Sequence, residues 1–264
     1  MNKTTDVLER QRSRYDREAQ EHHSHYQDPW TQEYRDRFYR SIFTGIELKG
    51  KVVLDAMCAS GIETGFLVAK GADVVGVDIS AANAQLFRAR WGLPCNVESI
   101  HKTSFESESF DIVYVMGGLH HVKPLLAEVI DEIWRILKPG GYFFFIEPNK
   151  NTWVNTLRNI WYKKNSRFAA EEEAISYESE LLPLCRSRFS ELRYQMGGNI
   201  AYLVVAQSMH LRIPTFVKRI TAKPLFVLES WLTRSKLGPA LFFSVVWQKQ
   251  TLNESIGRNV FSSD

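Results

Sequence analysis

The chain reads as a doubly wound α/β domain, a Rossmann-like parallel sheet with helices on both faces. Three observations predict this. Short stretches that are apolar throughout recur at KVVLD (51–55), DVVGVD (73–78), DIVYVM (111–116) and YFFFIE (142–147). Helix-length segments separate them, and Gly71, Gly92 and Pro139-Gly140-Gly141 punctuate the junctions. Strands buried on both sides and alternating with helices belong to a parallel sheet covered on both faces.

The elements follow in order. Residues 1–50 read as helical, with Tyr15 and Ala19 on one stripe and Tyr26, Trp30, Tyr34, Phe38 and Ile42 on another. Asp28-Pro29 separates two helices, as an N-cap and a first helical position. Residues 61–70 form a helix that stops at Gly71, and Ser80 caps another that runs to Trp91. A weaker strand lies near Cys95–Ser99, and Pro124–Leu137 is a helix. Beyond Pro148, residues 151–197 read as mainly helical with an acidic knot at Glu171–Glu173, and NIAYLVVAQ (199–207) and ALFFSVVWQ (240–248) read as strands. The tail from Thr251 is polar and reads as frayed.

Composition narrows the function classes. Of 264 residues, 44% are hydrophobic and 24% charged, which suits a chain with a real core. Thirty-three basic against 30 acidic residues give a net charge of +3, too balanced to predict a nucleic-acid partner. Cys58, Cys95 and Cys185 have neither metal-ligand nor disulfide spacing, which suits a reducing compartment. The charged N-terminus is not of the signal-peptide kind and no apolar run spans a bilayer, so a cytoplasmic location is expected. His22, His23 and His25 lack a partner of matching spacing and read as a solvated helix face, so no metal is expected.

Ligands of such sheets bind beyond the carboxyl ends of the strands, where strand order reverses. The first loop there is Asp55-Ala56-Met57-Cys58-Ala59-Ser60-Gly61, and Asp78 ends the next strand 23 residues after Asp55. That spacing resembles the acidic residue that takes the ribose hydroxyls of an adenosine cofactor. A dinucleotide needs G-x-G-x-x-G against its pyrophosphate, and this loop has one glycine, which disfavours NAD and FAD.

These residues resemble the class I S-adenosyl-L-methionine (AdoMet)-dependent methyltransferases, in particular the small-molecule members. VVLDAMCASG matches the first motif, with Met57 and Ala59 where the first two glycines usually stand and only Gly61 retained. GADVVGVDIS, SFDIVYVMGGLHHV and ILKPGGYFFFIEPN match the later motifs in order, so the resemblance covers roughly residues 48–150. It implies a seven-stranded sheet whose last strand is antiparallel, with 199–207 and 240–248 as the final pair. It also implies AdoMet as cofactor, held by Asp55, Ala56, Gly61, Asp78, Ile79, Ser99, Ile100, Met116 and Gly117. Tyr15-Asp16 and Ala19 resemble the Tyr-Asp-x-x-Ala string of an N-terminal lid, which adds Tyr15 to the cofactor contacts.

Candidate catalytic residues lie at the same rim. His120 or His121 is a suitable base near neutral pH, or one ring simply packs on the loop. Glu147 either binds an acceptor group or caps the next helix. The chain thus divides into a helical lid (1–47), an AdoMet-binding core (48–150), a helical cap with the last two strands (151–250) and a polar tail (251–264). The cap carries apolar and basic stripes, Trp153, Leu157, Ile160 and Trp161 in one part and Met209–Trp231 in another. It reads as the cover of an acceptor pocket or as a surface that meets a membrane or lipid-like acceptor. The expected activity is methyl transfer to O or N of a small, partly apolar metabolite. The alternatives are a degenerate scaffold of the same fold, favoured by Met57 and Ala59, and an RNA or protein methyltransferase.

Overall fold

The computed structural model describes residues 3–154, 174–209, 211 and 213–251. Helix α1 (Lys3–His25) leads into α2 (Pro29–Tyr34). The Asp28 carboxylate accepts from the N–H groups of Trp30 and Thr31 at 3.1 and 3.0 Å, and Pro29 occupies a position where no helical N–H is needed. A π-helical turn (Arg35–Tyr39) and a 3-10 turn (Arg40–Phe43) then deliver the chain to the sheet.

Among the described residues seven strands form one mixed sheet: β1 (Val52–Ala56), β2 (Asp73–Asp78), β3 (Cys95–Val97), β4 (Phe110–Met116), β5 (Leu137–Pro148), β6 (Phe189–Gly197) and β7 (Phe242–Lys249). Their order is β3-β2-β1-β4-β5-β7-β6. The first five pair in parallel, whereas β7 runs antiparallel to both β5 and β6. Strand order reverses between β1 and β4, so a crevice opens at their carboxyl ends. Helices α3 (Thr64–Ala69), α4 (Ala81–Trp91) and α5 (Leu126–Ile136) connect the parallel strands. Ser80 caps α4 by accepting from the Asn83 N–H at 3.1 Å, and Gly92 ends it at φ 65°.

The aromatic run on β5 feeds both faces. Phe144 stacks on Phe43 at 4.6 Å on one side, while Phe143 and Phe145 meet Trp247 on the other at 6.1 and 4.9 Å. All five side chains are buried. Burying one such ring is worth roughly 1.5–3 kcal/mol, so this run fixes which way β5 faces its neighbours.

Three sequence expectations are corrected. Residues 199–207 are not a strand; Tyr202–Ala206 is a π-helical turn, and its start is held by the buried Glu229 carboxylate, which accepts from the Asn199 and Ala201 N–H groups at 2.7 and 3.0 Å. The seventh strand is instead FSELRYQMG, Phe189–Gly197, inside the stretch that reads as helical. It is an edge strand paired only with β7 and half exposed, and charges such as Glu191 and Arg193 are what exposed edges carry. The helix expected at Pro124–Leu137 begins as a 3-10 turn over Leu119–Leu125 and becomes α5 only from Leu126. The stripe residues Leu157, Ile160 and Trp161, the acidic knot and the tail beyond Thr251 lie outside the described residues.

Helix α6 (Thr215–Ser235) packs its inner face against α2. The buried Lys218 ammonium donates to Asp28 Oδ2 at 2.7 Å and Thr31 Oγ1 at 3.0 Å, and Tyr34 donates to Glu229 at 3.0 Å. No helix among the described residues is long and apolar enough to cross a membrane.

Candidate active site

The loop after β1 makes three left-handed turns, with φ of 55° at Met57, 49° at Ala59 and 71° at Gly61. A side chain in that region costs roughly 1–2 kcal/mol, so the loop keeps a glycine-type backbone at two positions that carry side chains. Gly61 is glycine for a packing reason. A Cβ there would lie 2.5 Å from Trp91 Nε1 and 2.7 Å from Phe87, and Trp91 donates to the Gly61 carbonyl at 2.9 Å. Asp55 points to the base of α3, where its carboxylate accepts from Thr64 Oγ1 at 2.6 Å and burial pushes its pKa up to about 7.

Asp78 turns towards the loop. Its Oδ2 accepts from the Ala59 N–H at 2.9 Å, and its Oδ1 accepts from the Ser80 N–H at 2.8 Å and from Asn83 Nδ2 at 3.4 Å. Burial raises its pKa, and these three donors oppose that shift. Asp16 of α1 reaches the same corner, where its Oδ1 accepts from Ser80 Oγ at 2.6 Å and from the Ala82 N–H at 3.1 Å. A carboxylate at the first turn of α4 satisfies an otherwise unpaired N–H and holds α1 against the sheet rim.

Across the crevice, Glu147 at the end of β5 is fully buried. Its Oε1 accepts from the Gly118 and Leu119 N–H groups at 2.8 and 2.7 Å, and its Oε2 accepts from the His120 N–H at 3.3 Å. Oε2 also lies 2.7 Å from His120 Nδ1. With Glu147 ionised, Nδ1 carries the proton and donates it, which leaves the Nε2 lone pair as the basic site. The four contacts saturate the carboxylate. The His120 and His121 rings lie 3.8 Å apart, Tyr15 meets His121 edge-on at 5.4 Å, and the Gln11 side-chain amide donates to the His121 carbonyl.

Residues 54–145 match the family model described as "Methyltransferase domain". A ubiquinone biosynthesis O-methyltransferase from Paracidovorax citrulli is 37% identical over 153 residues, covering 53% of this chain and 63% of that protein. Another from Hahella chejuensis is 38% identical over 111 residues, covering 39% of this chain and 46% of its own length. The chain therefore spans about half to under two thirds of the curated relatives it matches. Magnesium protoporphyrin IX methyltransferase from Synechocystis PCC 6803, solved with bound SAH, superimposes with a TM-score of 0.62 at 13% identity, over 92% of this chain and all of that one. Residues 54–145 are thus similar to methyltransferase domains, and the fold is shared with a solved methyltransferase.

The carboxyl rim of the sheet and α1 border a cavity of about 760 Å³, its open mouth included. Tyr15, Asp78, Ile79, Ser99, Ile100, Met116, Gly117 and His121 line it, as the sequence leads one to expect for a site. Asp55, Ala56, Gly61, His120 and Glu147 do not; they stand behind its wall, holding the loops that form it. The expectation that the N-terminal histidines are a solvated face is corrected as well. His22 lines the cavity, and His25 Nε2 lies 2.9 Å from Ser208 Oγ.

Sequence reasoning missed Gln11, Glu18, Asn83 and Glu98, all in the cavity wall, where Met57 and Ala59 of the first loop also stand. Part of the signal was available: Gln11, Tyr15, Glu18, Ala19 and His22 recur at one-turn spacing, so the face of α1 that carries Tyr15 faces inward over three turns.

The wall fits an adenosine cofactor at its ribose end. A carboxylate offers about four lone-pair sites, and Asp78 Oδ2 uses only one of its own, towards Ala59. Asp78 and Met57 both line the cavity. The Met57 side chain lies along the next loop, where a Cβ on Gly118 would sit 2.6 Å from its sulfur.

Proposed function

We propose that this protein is an AdoMet-dependent O-methyltransferase acting on a hydroxyl group of a small, partly apolar molecule. The carrying observation is the buried Asp78 carboxylate, which lines the wall of the cavity at the switch point of the sheet. Similarity to ubiquinone biosynthesis O-methyltransferases supports oxygen as the accepting atom. When bound, AdoMet supplies an electrophilic methyl group on a sulfonium.

The chain's own residues divide the remaining work. Asp78 accepts from ribose hydroxyls, while Ile79 and Ile100 offer apolar surface to the adenine. Ser99, Met116 and Gly117 line the rest of the cofactor's path, and Tyr15 covers it from α1. Asp55, Ala56 and Gly61 act from behind, by fixing the loop. His121, which lines the wall on the same rim as Met116 and Gly117, takes the acceptor's proton. His120 and Glu147 are positioning residues: Glu147 gathers three backbone N–H groups and the His120 ring, which fixes the turn that presents His121. Helix α1 excludes water from one side of the cavity, and such exclusion strengthens electrostatic interactions inside.

Side chains at Met57 and Ala59 favour a second reading, a scaffold of this fold that holds no cofactor. Calorimetry with S-adenosylhomocysteine (AdoHcy) separates the two. The enzyme reading expects binding that Asp78→Ala weakens by about 10–100-fold, since hydrogen bonds to a charged group are worth ~1.5–3 kcal/mol. An absence of binding by the wild-type protein would leave the scaffold. Transfer of label from AdoMet to a panel of phenols and catechols then tests the acceptor class, and His121→Ala should lower kcat by about 10²-fold or more while AdoHcy affinity stays within a few-fold.

A further inference from the structure

Helix α6 turns one face to the α2 corner and another to solvent. Lys218, Ala222, Phe226 and Glu229 are buried on the inner face. Phe216, Ile220, Val227 and Trp231 are 64, 73, 71 and 56% exposed. At roughly 100° per residue, their spacing of four, seven and four places all of them within an arc of about 60°. Leu237, 70% exposed, follows just beyond the helix end. Single exposed apolar residues are ordinary, but four aligned large ones make a surface that a partner is needed to cover.

Charge says which partner. The exposed ionic groups of this helix are Arg219, Lys223 and Arg234, and its one acid, Glu229, is buried and turned inward. Lys223 is neutralised by Glu33 of α2 at 2.8 Å. Arg219 and Arg234, with Lys236 directly after the helix, make no ion pair with another described residue. A second copy docking through the same stripe would bring cations against cations. A bilayer carrying anionic lipids offers apolar depth to the stripe and phosphates to its flanks.

We infer that α6 lies in the interface of an anionic membrane, with Phe216, Ile220, Val227 and Trp231 turned into it and Arg219, Arg234 and Lys236 at the headgroups. Cap and membrane surface are then two faces of one helix rather than alternatives. The inference does not rest on methyl transfer, because no residue of this helix lines the cavity.

Flotation of the full chain with phosphatidylcholine vesicles, with and without phosphatidylglycerol, tests it in the absence of cofactor. Binding is expected only to the anionic vesicles and should fall at high salt. Removing two interfacial charges with Arg219→Gln and Arg234→Gln should lower partitioning by about 30-fold, at ~1 kcal/mol per cation. Ile220→Asp with Val227→Asp should abolish it while Tm stays near the wild-type value. Flotation that survives both pairs of substitutions overturns the assignment, as does a failure of the wild-type chain to bind anionic vesicles. A dimer in sedimentation that Ile220→Asp with Val227→Asp dissolves, with no vesicle binding, gives the stripe to a second copy and overturns it too.

Discussion

Ala59 shows how a single residue records the demands of a loop. Its φ of 49° is one a glycine adopts without strain, and its N–H must still reach the Asp78 carboxylate. Ala59→Gly should relieve about 1 kcal/mol at most, after the extra freedom of glycine in the unfolded chain is set against the strain, and should raise Tm by roughly 2–4 °C. Calorimetric melting checks this, and a lower Tm would show that the methyl group contributes more than the strain costs. Asp55 carries a pH signature. Its pKa is raised to about 7 when folded, so between the ordinary carboxylate range and pH 7 the native state binds more protons than the unfolded one. Stability from this group is therefore greatest at low pH and is lost as pH rises through about 7, with a slope of up to about 1.36 kcal/mol per pH unit. Asp55→Asn keeps an acceptor for Thr64 and should flatten the decline in urea-unfolding free energy between about pH 4 and 7, the interval between the unfolded and folded pKa values. An unchanged slope would place the titrating group elsewhere.

At the scale of elements, Asp16 ties α1 to the sheet rim through two hydrogen bonds. Asp16→Ala removes a cap worth about 1 kcal/mol, which corresponds to a faster release of AdoHcy by roughly five- to ten-fold. Stopped-flow displacement reads this directly; a release rate equal to that of the wild type would mean that α1 does not gate the cavity. Sequence pattern made most elements legible because their burial is two-sided or periodic: β1, β2, β4 and β5 read as apolar runs, and Asp28, Ser80 and Gly92 marked helix ends with their own side chains or backbone freedom. The pattern failed for β6. An edge strand with Glu191 and Arg193 on it has no continuous apolar run, while the apolar 199–207 stretch is buried as a turn whose polar groups Glu229 satisfies from 28 or more residues away.

For the whole molecule, ligand binding and folding are one equilibrium. Because the cavity walls come from α1, the loop after β1, β2, β4 and the segments that follow them, a ligand that needs the assembled cavity stabilises all of them together. At a hundred-fold excess over its Kd, AdoHcy should add about 2.7 kcal/mol, roughly 5–11 °C in Tm for a domain of this size. Adenosine diphosphate ribose, used as a control, should give no shift, because the loop has no bare backbone for a pyrophosphate.

By itself the sequence determined the doubly wound core, the strand ends that bear Asp78 and Met116, and the helical face of α1 that carries Tyr15. These are local facts, written in hydrophobic period, caps and motif spacing. Only the tertiary structure decided which of the rim residues face the cavity. Glu147, His120 and Asp55 share the rim with Asp78 and His121, yet Glu147 and His120 pair across 27 residues and Asp55 is held by Thr64 of α3, which turns them into supports. The exposed stripe of α6 was likewise invisible in a helix apolar on two sides, since burial of one side is settled by what packs there, here α2 through Lys218 and Glu229.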